Sequence, residues 1–194
     1  MAVCLVVRSL AKVATVAPLV RLDFTGELIT CEGARTLAAV LQANCVLQAV
    51  VLRQTFIADE GAAALGAALG GSALAELDLG ECRISNAGVR LFVRGVQMHG
   101  TPSTLQVLLL DGNPISDAGV VDMISFVEGP HRPPGLSTLS VHPAPPNVLS
   151  DEVNAALHVV CDLCHVELRR GRRAAGRALG NLHAEERSAG RLQG

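Results

Sequence analysis

The chain is 194 residues long and 49% hydrophobic, yet it holds four Phe, no Trp and no Tyr. Leu, Val and Ala must therefore fill the core, and a tight interface built on aromatic anchors is not expected. The formal net charge of −2 is unevenly spread: residues 1–164 carry nine basic against fifteen acidic side chains and residues 165–194 seven against three, an acidic body followed by a basic end.

Six cysteines at 4, 31, 45, 82, 161 and 164 form no disulfide-framework spacing, which predicts a reducing compartment and a cytoplasmic location. No apolar run reaches the roughly 18–20 residues that cross a bilayer. Residues 1–17 lack acids and carry Arg8 and Lys12, a composition shared with mitochondrial presequences. The preferred expectation for 1–18 is a starter helix whose Leu5, Leu10, Val13 and Val16 cover the unit beginning at Leu19.

Four segments of the form L-x-x-[LV]-x-[LF] come next: Leu19–Phe24, Leu47–Leu52, Leu74–Leu79 and Leu105–Leu110. Fourteen residues after each opening leucine stands a glycine, at Gly33, Gly61, Gly88 and Gly119. Within each unit the apolar period switches from 2 to 3.6, a short strand followed by a helix. Ile29, Ile57, Ile84 and Ile115 occupy the eleventh position. Asp59, Asn86 and Asp117 lie two residues further on, where a side-chain oxygen is expected to cap the next helix; Cys31 holds that place in the first unit, beside Thr30. Leu37, Leu65, Phe92 and Met123, then Leu41, Leu69, Val96 and Val127, follow the glycines by four and eight residues and give each helix one buried face.

Such a unit cannot bury its own strand and helix, so the units must stack. Parallel strands stand about 4.8 Å apart and packed helices roughly 8–10 Å, so the stack bends with its strands on the inside. The glycines are expected to let neighbouring units approach, and Gly61→Leu to force them apart.

With this register the chain resembles the ribonuclease-inhibitor-like class of leucine-rich repeat, L-x-x-L-x-L-x-x-N/C-x-I-x-x-x-G, over residues 19–128. The resemblance implies an α/β solenoid, a curved parallel sheet inside and helices outside, and a loop network made by the ninth-position side chains. Cys82 and Asn113 keep the pattern there; Glu27 and Thr55 depart from it. The class serves many unrelated binding proteins, so it implies a scaffold rather than a particular partner.

Residues 136–161 read as a degenerate fifth unit. Leu136, Leu139 and Val141 repeat the strand, prolines 143, 145 and 146 replace the turn, and Val153 takes the place of the glycine. Ser150 or Asp151 is expected to cap a helix running through Ala156, Leu157, Val160, Leu163 and Leu168, with the prolines preventing a further strand from adding smoothly. The expected domain is therefore 19–164, four regular repeats and the degenerate fifth, followed by a basic helix or tail over 165–194.

No catalytic constellation is assembled, and no cofactor or metal is expected. Cys161, Cys164 and His165 satisfy the haem-attachment pattern C-x-x-C-H but fall within an amphipathic helix, where cysteines act as small hydrophobes. His158, Cys161 and His165 share a helical row that cannot by itself complete a tetrahedral zinc site. The arginine-rich end has no aromatic residue for base stacking and interleaves Glu185 and Glu186, so specific nucleic-acid binding is not expected.

The outward strand positions carry the functional expectation: Arg21 and Asp23, Ala49 and Val51, Glu76 and Asp78, Val107 and Leu109, Thr138 and Ser140, with Arg53, Glu81 and Asp111 in the adjoining turns. Val51, Val107 and Leu109 suggest a sheet face that something covers. The chain is thus expected to be a protein-interaction scaffold, binding a partner protein or multi-subunit complex through Arg21, Asp23, Val51, Arg53, Glu76, Asp78, Val107, Leu109 and Asp111. The alternative is a structural subunit wedged permanently into a large cytoskeletal, ciliary or ribonucleoprotein assembly through its helices and basic tail.

Overall fold

The computed structural model describes residues 19–43, 46–98 and 101–168; the expected starter helix over 1–18 and the segment from 169 onward lie outside them. Strands and helices alternate as β1 (Arg21–Asp23), α1 (Cys31–Ala43), β2 (Ala49–Val51), α2 (Ala58–Leu69), β3 (Glu76–Asp78), α3 (Asn86–Met98), β4 (Val107–Leu109), α4 (Asp117–Glu128), β5 (Thr138–Ser140), α5 (Asp151–Leu163) and β6 (Glu167–Leu168). All six strands pair in parallel and in sequence order.

The register is the one the leucines dictate. Leu22, Val50, Leu77, Leu108, Leu139 and Leu168 align across the sheet, and the four inner members are fully buried. Behind them lie Ile29, Ile57, Ile84 and Ile115 and the predicted helix stripes, all within one continuous core. Backbone pairing continues past each strand: Gly26, Gln54, Glu81 and Gly112 donate their N–H groups to the carbonyls of Arg53, Gly80, Asp111 and His142 in the next unit. All four have positive φ, which Gly26 and Gly112 adopt freely and Gln54 and Glu81 only with strain.

Asp59, Asn86 and Asp117 do not cap their own helices, contrary to expectation. They reach sideways, where the next turn offers a backbone N–H: Ser85 donates to Asp59 Oδ1 at 2.7 Å, Ser116 to Asn86 Oδ1 at 2.8 Å and Ser150 to Asp117 Oδ1 at 2.9 Å. This lateral ladder explains two of the repeat glycines. A Cβ on Gly88 would collide with Asp59 Oδ1, and one on Gly119 would stand 2.6 Å from Asn86 Oδ1. Of the expected caps Ser150 acts as one, accepting from the Val153 N–H at 3.3 Å, and Ser85, just before α3, accepts from the Ala87 N–H at 3.2 Å.

A second ladder runs through the ninth position. Asn113 Oδ1 accepts from the N–H groups of Cys82 and Ile84, and its Nδ2 donates to Leu79 and Leu110 carbonyls. The Cys82 thiol donates to Leu52 O, and the Thr55 hydroxyl, a departure from the pattern, donates to that same carbonyl at 2.7 Å. Thr55 therefore joins the network, whereas Glu27 stays exposed.

The C-terminal end also differs from expectation. α5 stops at Leu163, so Leu168 does not extend the helix stripe; it stands in β6 opposite Leu139. The prolines precede α5, and after it His165 turns the chain at φ 56, so a sixth strand adds despite them.

Candidate concave binding face

Outward side chains form two rows on the strand side, which is the narrower and hence concave side of the stack. Arg21, Ala49, Glu76, Val107, Thr138 and Glu167 make the first row; Asp23, Val51, Asp78, Leu109 and Ser140 make the second. The rows differ in access. In the first, Arg21 and Glu167 are exposed and Glu76, Val107 and Thr138 half-buried, with Ala49 covered. In the second, only Asp23 is exposed: Val51 retains 5%, Asp78 3% and Leu109 4% of its surface. The apolar cover expected over Val51 and Leu109 is thus supplied largely from within the chain, and Val107 alone of the three stays open.

Polar side chains in the turns close over the second row. The Arg53 guanidinium lies across Gly80, where any Cβ would collide with it, and reaches Glu81 Oε1 at 2.9 Å and Asp78 Oδ1 at 3.7 Å. Gln54 donates to the other Glu81 oxygen at 3.1 Å. Asp111, nearly buried, accepts from the Ser140 hydroxyl at 2.6 Å and faces His142 Nδ1 at 3.1 Å. Burial pushes the Asp111 carboxyl up, but the bonds from His142 and Ser140 and the nearby charges outweigh it and hold the group below its ordinary range. Across the first row, Arg21 Nη1 meets Glu76 Oε2 at 2.7 Å, passing over the short side chain of Ala49. The Thr25 hydroxyl and N–H bind Asp23 and hold its carboxyl low as well.

Among the described residues, Asp23, Glu76, Asp78, Glu81, Asp111 and Glu167 on this face and its turns oppose Arg21 and Arg53, a surplus of four negative charges with His142 neutral. Such a face attracts cations and cationic side chains at long range, most strongly at low salt.

The structure separates the C-x-x-C-H residues. Cys161 is fully buried in the core, and burial pushes its thiol up to about 11. Cys164 points its thiol toward Val127 O at 3.7 Å, and His165 is exposed beyond the helix. Among the described residues, no three His, Cys, Asp or Glu gather as a metal would require.

One surface escaped the sequence reading. The residues just before each buried Ile, Leu28, Phe56, Arg83 and Pro114, with Val148 before Leu149, occupy equivalent places along the strand-to-helix turns. Leu28 is 66%, Phe56 37% and Val148 84% exposed, and the Arg83 guanidinium lies 4.3 Å from the Phe56 ring centre. The available signal was an apolar residue recurring where the repeat demands none.

Residues 101–123 match the family described as Leucine Rich repeat. No curated protein matches the chain. Among solved structures, the chain is similar to one described as Leiomodin-1 Actin-Binding Site 2 (ABS2), with 16% identity, a TM-score of 0.59 and coverage of 88% of each chain. At that identity the likeness establishes the fold, a leucine-rich-repeat solenoid, and nothing finer. Among the described residues, no helix is long and apolar enough to cross a membrane.

Proposed function

We propose that this solenoid is a protein-interaction scaffold that holds a basic segment of a partner protein on the accessible row of its concave face. The observation that carries the reading is the difference between the two rows. Arg21, Glu76, Val107 and Glu167 stay accessible in register across the sheet, with Asp23 at its edge, while Val51, Asp78 and Leu109 form a closed floor. Arg53 and Asp111 fix the turn side chains that border the row. The similar solved structure is titled as an actin-binding site, which supports use of the fold for protein binding. The Ile and Asn/Cys registers support placing the repeats in the ribonuclease-inhibitor-like class, and the thiol-only cysteines among the described residues support a reducing, cytoplasmic setting.

Asp78→Arg or Leu109→Asp would disturb the floor and the fold together. Glu76→Arg and Val107→Asp are the cleaner probes. Each is expected to remove a co-purifying partner while leaving the melting temperature within a few degrees. Retention of every partner by both variants, with loss on Arg90→Glu or Arg94→Glu on the helical side, would refute the assignment.

A second reading is favoured by the exposed turn residues Leu28, Phe56 and Val148, which suit permanent burial in an assembly. It predicts that the isolated chain aggregates and that Leu28→Asp with Phe56→Asp restores a single monodisperse species.

A further inference from the structure

Leu28, Phe56, Arg83 and Pro114 stand at one position of four successive turns, and all four are exposed. We propose that they form a second docking surface, separate from the concave row, for a short partner segment that sets an Asp or Glu beside a bulky apolar residue. Arg83 takes the carboxylate, and Leu28, Phe56 and Pro114 take the apolar side chain.

The guanidinium is the first argument. Among the described residues, Arg21, Arg35, Arg53 and Arg90 each meet a carboxylate, and Arg132 meets the Cys164 carbonyl. Arg83 instead lies 4.3 Å from the centre of the Phe56 ring. Glu81, two residues earlier, is engaged by Arg53 and Gln54. Contact with a ring face occupies none of the guanidinium N–H donors, and a carboxylate can accept two of them side by side. The same contact holds the cation against apolar surface, so one short segment meets both. The acidic body slows the approach of such a segment, and Arg83 selects it at contact.

The backbone is the second. Arg83 has φ 62, whereas Leu28, Phe56 and Pro114 at the same position stay out of the left-handed region. The repeat does not require that strain, yet neighbouring turns hold it in place. Asn113 Oδ1 accepts from the N–H on either side, Cys82 at 2.9 Å and Ile84 at 3.0 Å, and the Cys82 carbonyl accepts from the Ala58 N–H at 3.1 Å. Strain that is over-determined in this way marks a side chain whose direction matters. Units about 4.8 Å apart put Leu28 roughly 14 Å from Pro114, the span of about four extended residues.

The test exposes the full chain to a phage-displayed library of random peptides about 12 residues long, ample for that span. The expected result is an enriched set with Asp or Glu within about three positions of a bulky apolar residue. Its enrichment should fall at least about ten-fold on Arg83→Gln and on Phe56→Ala, and should stay unchanged on Glu76→Arg. If the urea midpoint of Arg83→Gln shifts, Arg83→Gly, which the left-handed backbone accepts freely, takes its place. Absence of an acidic–apolar set, or a set insensitive to Arg83→Gln, would overturn the proposal. So would purely apolar peptides alone, the mark of permanent burial in an assembly, or loss of the set on Glu76→Arg, which would place it on the concave row. Partner capture by the concave row is judged on Glu76→Arg and Val107→Asp, so failure of either surface is distinguishable from failure of the other.

Discussion

Between α2 and α3 two helix backbones touch: a Cβ on Gly66 would stand 2.9 Å from Phe92 Cα, and one on Gly95 would stand 2.6 Å from the Ala67 nitrogen. Between α4 and α5 the equivalent positions hold Ile124 and Val160, Val153 replaces the repeat glycine, and α5 leaves Val159 and Leu163 exposed. The same unit is thus locked in the middle of the stack and loosely finished at its C-terminal end. A close-packed middle has no freedom to adapt to a ligand. Adaptable surface belongs to the concave row, the turns and the end.

That contrast is most easily broken by enlarging a glycine. Gly66→Leu should cost more than about 3 kcal/mol, because the obstacle is backbone and cannot rotate away. Val153→Gly, in the loose end, should cost roughly 1–2 kcal/mol, through helix propensity and the loss of a half-buried side chain packed against the core. Urea unfolding of the two variants decides it; similar costs would erase the distinction.

Next in size is the asparagine ladder. Asn113→Ala leaves the Cys82 and Ile84 N–H groups without their acceptor and should cost about 2–4 kcal/mol. Glu27→Ala, at the equivalent but exposed place, should stay within about 0.5 kcal/mol. The lateral ladder is weaker: Asp59→Ala should cost roughly 1–2 kcal/mol through its two bonds to Ser85, and Asp117→Ala less, since Ser150 is exposed and water replaces the bond.

The smallest effects are pH-dependent and of opposite sign in the two regions. The Asp111 carboxyl is held below its unfolded value of about 3.9, so its contribution is complete above that pH and is lost as pH falls toward the folded value. The Cys161 thiol is raised from 9.0 to about 11, so its contribution is complete below 9.0 and is lost as pH rises between those values. Asp111→Asn should flatten the acid limb of the urea midpoint against pH, and Cys161→Ala the alkaline limb. Unchanged limbs would show that these groups titrate as in the unfolded chain.

The solenoid was legible because Leu77, Leu108, Ile84 and Ile115 repeat at fixed offsets, and burial of one face fixes strand register. The lateral role of Asp59 and Asn86 was not, since a cap and a bond to the neighbouring turn demand the same residue in the same place. Nor was the closure of the second row. Alternation says that Val51 and Leu109 point outward, but not that Arg53, Asp111 and their partners would fold over that side. β6 escaped because a two-residue strand carries no period of its own.

The central claim is that partners are held by the accessible concave row. Its most direct test is capture of co-purifying chains by the folded Glu76→Arg variant beside the unaltered protein, quantified by mass spectrometry. The account predicts loss of a specific partner by at least about ten-fold, equivalent to about 1.4 kcal/mol, with the unfolding midpoint preserved. An unchanged set of partners on Glu76→Arg, together with their loss on Phe56→Asp, would contradict it and move the binding surface to the turns.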